Sequence, residues 1–114
     1  MGNPLYDKSL TYAVGIVELS DKLKKHDNTM ADQLKRSGTS VGANVSEAQY
    51  AQGRKDFISK LSIALKEASE SRYWLSLISQ TNNATASDAQ HLIRQIDEII
   101  RILTTSIKTT KTKL

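Results

Sequence analysis

No cysteine occurs in these 114 residues, so disulfide staples, thiolate metal sites and cysteine nucleophiles are all excluded. That lack agrees with a reducing compartment, and the cytoplasm is the expected location. Proline occurs once and glycine five times, which suits a helical domain better than a loop-rich one. Every long apolar pattern is broken by charges, so no segment is expected to span a bilayer. Met1-Gly2-Asn3-Pro4 has neither a basic n-region nor an apolar h-region. Pro4 also argues against reading Met1-Gly2 as a myristoylation start. Aromatic residues make up only 5% of the chain, leaving few rings for stacking on bases. No acidic residue follows Glu98.

The chain is long enough for one domain with a single hydrophobic core. It carries a formal net charge of +4 and a pI of about 9.4. So mild a basic bias raises the case for a nucleic-acid or acidic partner only modestly. Its distribution says more, because Arg101, Lys108, Lys111 and Lys113 gather in the acid-free C-terminal stretch.

Four amphipathic segments account for the chain, as one domain over residues 1–114. The first spans residues 4–26, with Asn3 as N-cap and Pro4 at the first helical position, where its missing N–H costs nothing. Tyr12, Ile16, Leu19 and Leu23 recur on its face, with Lys24, Lys25 and His26 at its carbonyl end. The second spans residues 30–52, capped by Thr29 and ended at Gly53 in a left-handed conformation. Met30, Leu34, Val41, Val45 and Ala48 line one side. Gly38 and Gly42 would each cost this helix about 1 kcal/mol, so a helix kept despite them points to a close neighbour or a kink.

The third segment, residues 54–80, carries the most regular spacing: Phe57, Leu61, Ala64, Ala68, Ser71, Leu75 and Ile78. Alternating large and small residues suit knobs-into-holes packing of antiparallel helices. The fourth, residues 88–108, starts from Ser87 as N-cap and presents Leu92, Ile96, Ile99, Leu103 and Ile107. Residues 109–114 read as a frayed basic tail. With loops of a few residues between them, these segments predict an all-α, antiparallel, up-down-up-down four-helix bundle.

The motif-bearing residues lie in the second and third segments. Gln33-x-x-Arg36-Ser37, Ser40-Val41-x-x-Asn44-Val45-x-Glu47-Ala48, Phe57 and Leu61-x-Ile63-Ala64-x-x-Glu67, followed by Tyr73-Trp74-Leu75, resemble the family of 23S ribosomal RNA intervening-sequence proteins. The chain is also similar to the accessory variability determinant of diversity-generating retroelements. The motif-rich part is under half the chain, and Ser46 and Ala48 stand where many members have alanine and glycine. The resemblance implies a four-helix bundle, ring-like homopentamers and a role in nucleic-acid binding. It implies no enzymatic activity.

Arg36, Ser40, Ala43 and Glu47 share a helical flank with Asn44 at its border, and Lys60, Ile63, Glu67 and Trp74 share another. Two readings are open. One is an Arg36–Glu47–Glu67 network that fixes helix register, with Trp74 in the core. The other is a subunit interface, since Trp and Arg are favoured anchors. Arg36, Asn44, Glu47, Glu67 and Trp74 are therefore the structural or interface candidates.

The candidates for contacting nucleic acid are Lys22, Lys24, Lys25, Lys35, Arg36, Arg54, Lys55, Arg101, Lys108, Lys111 and Lys113. Tyr6, Tyr50 and Tyr73 are the available stacking rings. An ordinary solvated basic surface would have the same composition. Asp88-x-x-His91 has a carboxylate–histidine spacing, but a dimetal site needs that pattern twice with two further carboxylates. No phosphate-cradling glycine loop or nucleophile elbow occurs. No catalytic residue, cofactor or metal is expected. The expected protein is a non-enzymatic homo-oligomer that binds RNA or DNA, alone or alongside a protein partner; the alternative is a scaffolding module for which the charge is incidental.

Overall fold

The computed structural model describes residues 3–113. It consists of four helices, α1 (Pro4–Leu23), α2 (Asn28–Ala48), α3 (Arg54–Thr81) and α4 (Ala86–Thr112). Each packs against the next and α4 closes back on α1, while the diagonal pairs stay apart. The result is a 49 × 25 × 19 Å antiparallel four-helix bundle. Ion pairs record the antiparallel register. Lys8 meets Glu98 at 3.1 Å and Lys22 meets Asp88 at 3.0 Å between α1 and α4. Arg72 bridges from α3 to Asp97 on α4 at 2.6 Å. Among the described residues no helix is long and apolar enough to cross a membrane.

The predicted stripes form the core, except that Met30 and Phe57 are only half-buried at its margin. Tyr12, Ile16, Leu34, Val41, Ala64, Ala68, Leu75, Ile78, Ile96 and Leu103 have no exposed surface. Burial of each larger apolar side chain contributes about 1.5–3 kcal/mol, far more than helix propensity supplies. One polar link crosses the interior, a 2.8 Å hydrogen bond between the Tyr12 and Ser71 hydroxyls. It satisfies both groups where water is absent, and burial pushes the Tyr12 phenol well above its ordinary pKa. Gly38 explains how α1 and α2 come so close. A Cβ there would stand 2.7 Å from Cγ2 of Ile16, so alanine would force the core to shift.

Helix ends depart from the sequence reading. α1 stops at Leu23, because the carbonyl of Leu23 accepts from the N–H groups of both His26 and Asp27 and turns the chain. Asp27, rather than Thr29, caps α2, accepting from the Met30 N–H at 2.9 Å. α2 ends at Ala48 instead of Gln52, and Gly53 is extended (φ 178°) as the residue before α3. α4 begins two residues early, after Thr85 rather than Ser87. It also runs through the expected tail to Thr112, since Ile107 is still buried and the Thr110 hydroxyl bonds back to the Ser106 carbonyl at 2.7 Å. Met1-Gly2 and Leu114, the last residue of that tail, lie outside the described residues.

Candidate nucleic-acid interface

The bundle topology sorts the basic residues by end. The α2–α3 connection, the start of α1 and the close of α4 meet at one end. The α1–α2 and α3–α4 connections meet at the other. The first end receives Arg54 and Lys55 from the opening of α3, and Lys108, Lys111 and Lys113 from the close of α4. All five are exposed, and none is in an ion pair among the described residues. Arg54 and Thr110 line the same cleft, so the two groups are neighbours in space. Tyr50, 82% exposed, stands on the connection beside them.

Local sequence accounts for this arrangement. The α2–α3 connection, Gln49 to Gly53, is too short to hide its own side chains, so Tyr50 has no surface to pack on. Asp56 accepts a 3.3 Å hydrogen bond from the Gln52 N–H. Glu47, the other acid close by, is engaged by Lys60 at 3.4 Å. The α3 N-terminus lacks a side-chain cap, so its first N–H groups add to the positive potential at this end. Arg101 is exposed seven residues before Lys108 on the same face of α4. Arg94, at the same interval again, continues that stripe and was not among the sequence candidates; the repeat of seven was the signal for it.

The remaining candidates lie elsewhere. Lys24 and Lys25 are exposed in the turn at the opposite end, while Lys22 there is held by Asp88. Lys35 is exposed on α2. Arg36 sits on the α2–α3 flank in a three-residue cluster: Nη1 donates to Glu67 at 3.1 Å and Nη2 donates to Glu70. Glu70 also accepts the Trp74 indole N–H at 3.2 Å. Hydrogen bonding by Arg36, then by Trp74, holds the Glu70 carboxyl below the usual carboxylate range, and Glu70 in turn raises Arg36. So occupied, Arg36 is a poor phosphate ligand.

This cluster corrects the predicted network in two respects. Glu47 is not its third member, since it pairs with Lys60. Trp74 is half-buried on the flank, edge-on to Tyr73 with centroids 5.3 Å apart, rather than in the core. Glu70 is the member that sequence reasoning missed; its position one turn before Trp74 was the available clue. Asn44 donates to its own helix, to the Ser40 carbonyl at 2.9 Å, and makes no contact with the cluster's charges. Asp88 is engaged with Lys22, and among the described residues no group of three or more His, Asp or Glu side chains converges as a metal site would require.

The family model described as 23S rRNA-intervening sequence protein matches residues 3–105. That span takes in α1 and most of α4 as well as the motif-rich middle. A crystal structure of a protein of unknown function from the S23 ribosomal protein family of Bacteroides thetaiotaomicron is also similar. It has 45% sequence identity and a TM-score of 0.86, covering 91% of this chain and 98% of that one. Neither description names an enzymatic activity. Among curated proteins none matches.

Proposed function

The chain belongs to the 23S rRNA-intervening sequence protein family, and on that premise we propose that it is a non-enzymatic, cytoplasmic RNA-binding bundle. The carrying observation is the cluster of five exposed cations, Arg54, Lys55, Lys108, Lys111 and Lys113, at the end where the α2–α3 connection meets the close of α4. Unpaired cations gathered in space bind phosphates and release counterions, and paired ones scattered over a surface do so poorly. The test is binding of nuclease-treated protein to ribosomal RNA fragments across a salt series, with an unrelated DNA duplex as competitor. Affinity that falls steeply with salt yet survives the competitor is the expected result. Equal affinity for both would reduce the proposal to generic electrostatics, and no binding at low salt would overturn it.

A second reading rests on a different observation. Leu10 and Val14 on α1 are 52% and 53% exposed, adjoining a groove of about 220 Å³ between Tyr6, Leu10, Gly42 and Ala43. Apolar residues left in water on one flank favour association of copies of the chain, in the pentameric form that the resemblance implies. A ring would repeat the basic end around its axis and multiply its avidity. Light scattering on wild type and Leu10→Glu tests it: an oligomer that the substitution dissociates is expected. A wild type that is monomeric at micromolar concentration would rule it out.

A further inference from the structure

The basic end of the bundle also carries a shallow cleft. With a volume of about 730 Å³, it runs between Asn3, the close of α2 and the opening of α3, with Arg54 and Thr110 among its walls. Asn3, Ala48, Gln49 and Phe57 also line a second hollow, of about 280 Å³, that reaches Leu5, Leu61 and Ile102. An outer cleft with Arg54 on its wall therefore adjoins an apolar inner hollow, the two sharing Asn3, Ala48, Gln49 and Phe57. The outer cleft by itself is of the size that small-molecule sites occupy, roughly 300–1,000 Å³.

We infer that this cleft seats one unpaired base of a single-stranded RNA segment, with Phe57 as the wall against which the base packs. The inference rests on the RNA-binding reading above and narrows it to a strand type. Phe57 is half-buried, so part of its ring remains open to the cleft it lines. Gln49 is exposed on the same wall, and its side-chain amide makes no hydrogen bond among the described residues. A free amide offers both a donor and an acceptor, which is what the edge of a base requires. Arg54 lies on the cleft, Lys55 follows it, and Lys111 follows Thr110 across it. All are exposed, so Arg54 can meet a phosphate at the cleft and Lys55 and Lys111 add positive charge at the same end of the bundle.

This combination selects among occupants by charge and shape. An apolar peptide would be held by the inner hollow, yet would cover a rim of cations that it could not neutralise. A duplex would satisfy the cations, yet its bases are stacked and paired and have no face to offer Phe57. A strand with splayed bases offers both the phosphates and the open ring faces that the two parts call for. Base-on-aromatic packing of this kind tolerates many sequences, so a strand preference is expected rather than a strict sequence code.

The experiment measures anisotropy of a fluorescein-labelled 12-nucleotide single-stranded RNA, and of the duplex made from it, with wild type, Phe57→Leu and Gln49→Ala. Wild type is expected to favour the single strand by about tenfold or more. Phe57→Leu keeps apolar bulk but removes the ring. It should cost about tenfold on the single strand, within the range that stacking gives, and leave duplex binding unchanged. Gln49→Ala, at an exposed site where folding is not at risk, should cost a few-fold on the single strand alone. A 2-aminopurine substituted into the RNA should change its fluorescence on binding to wild type and not to Phe57→Leu. Equal affinity of wild type for both strands, or single-strand binding unaffected by either substitution, would overturn the base-seating inference while leaving RNA binding by the basic end intact. Failure to bind either RNA at low salt would overturn both.

Discussion

The two ends of the bundle are built on different terms. At the end holding the α1–α2 and α3–α4 connections, several polar groups are matched within the chain, although α4 starts there without a side-chain cap and the buried Thr85 hydroxyl has no hydrogen-bond partner among the described residues. Asp27 caps α2, Lys22 is paired with Asp88, and the Thr85 N–H donates to Asn82 Oδ1 at 3.2 Å. The surface cleft there mixes Glu18 and Asp88 with Lys22, His91 and Arg94, so it carries no single sign of charge. At the other end Asn3 caps α1, but α3 starts uncapped at Gly53 and five cations stand without acidic partners among the described residues. The first end ties up more of its polar groups in folding, with Lys24 and Lys25 left exposed. The second leaves its cations available, and availability is what a binding surface requires.

The largest effect expected from this difference is on affinity. Arg54→Glu/Lys55→Glu/Lys111→Glu at the open end should lower RNA affinity at least about tenfold at 100 mM salt. It should also flatten the plot of log affinity against log salt by roughly two units, since single strands contribute about 0.7 per phosphate contact. Lys24→Glu/Lys25→Glu at the opposite end should change affinity by less than about threefold. Anisotropy titrations at four salt concentrations measure both quantities. Similar losses at the two ends would mean that net charge, not its placement, governs binding.

Much of the fold is legible before any coordinates, because burial follows spacing. Tyr12, Ile16, Leu19 and Leu23 mark the inner face of α1, and Leu92, Ile96, Ile99, Leu103 and Ile107 mark that of α4. Helix ends are less legible because neighbouring residues compete to cap them. Asp27 and Thr29 both offer a suitable oxygen, and the turn drawn in by the Leu23 carbonyl places Asp27 at the junction. The flank was half-legible. Arg36 and Glu67 do pair, but Glu47 is eleven residues from Arg36, about 16 Å along a helix, beyond the reach of one network. Antiparallel packing instead sets Glu47 opposite Lys60, while Arg36 finds Glu70. The cleft was not legible, because Asn3, Gln49, Phe57 and Thr110 come together only in the folded bundle.

A smaller effect should separate the ends by stability. Asp27→Ala removes an oxygen that accepts the Met30 N–H and should lower the unfolding free energy by about 1 kcal/mol. Urea denaturation followed by circular dichroism reads it directly. RNA affinity should not move, because Asp27 lies at the end remote from the basic cluster. A change in affinity without a change in stability would place part of the binding surface at the matched end.

The smallest effect carries the finest distinction. Gly53 is fully extended, a conformation open to any residue, and a Cβ there would meet nothing within 4 Å. Serine at this position can therefore supply the cap that α3 lacks, with an expected gain of only a few tenths of a kcal/mol. Aspartate should cap at least as well, because its charge also suits the N-terminal end of the helix. It would also put a negative charge on the wall of the cationic cleft. Gly53→Ser and Gly53→Asp should thus raise the melting temperature alike, while only the aspartate weakens RNA binding, by about threefold. If both variants bind like wild type, phosphates do not approach the start of α3, and the interface must be drawn nearer the close of α4. If serine weakens binding as much as aspartate does, the open space at Gly53 itself matters, and the bare backbone there is part of what the RNA touches.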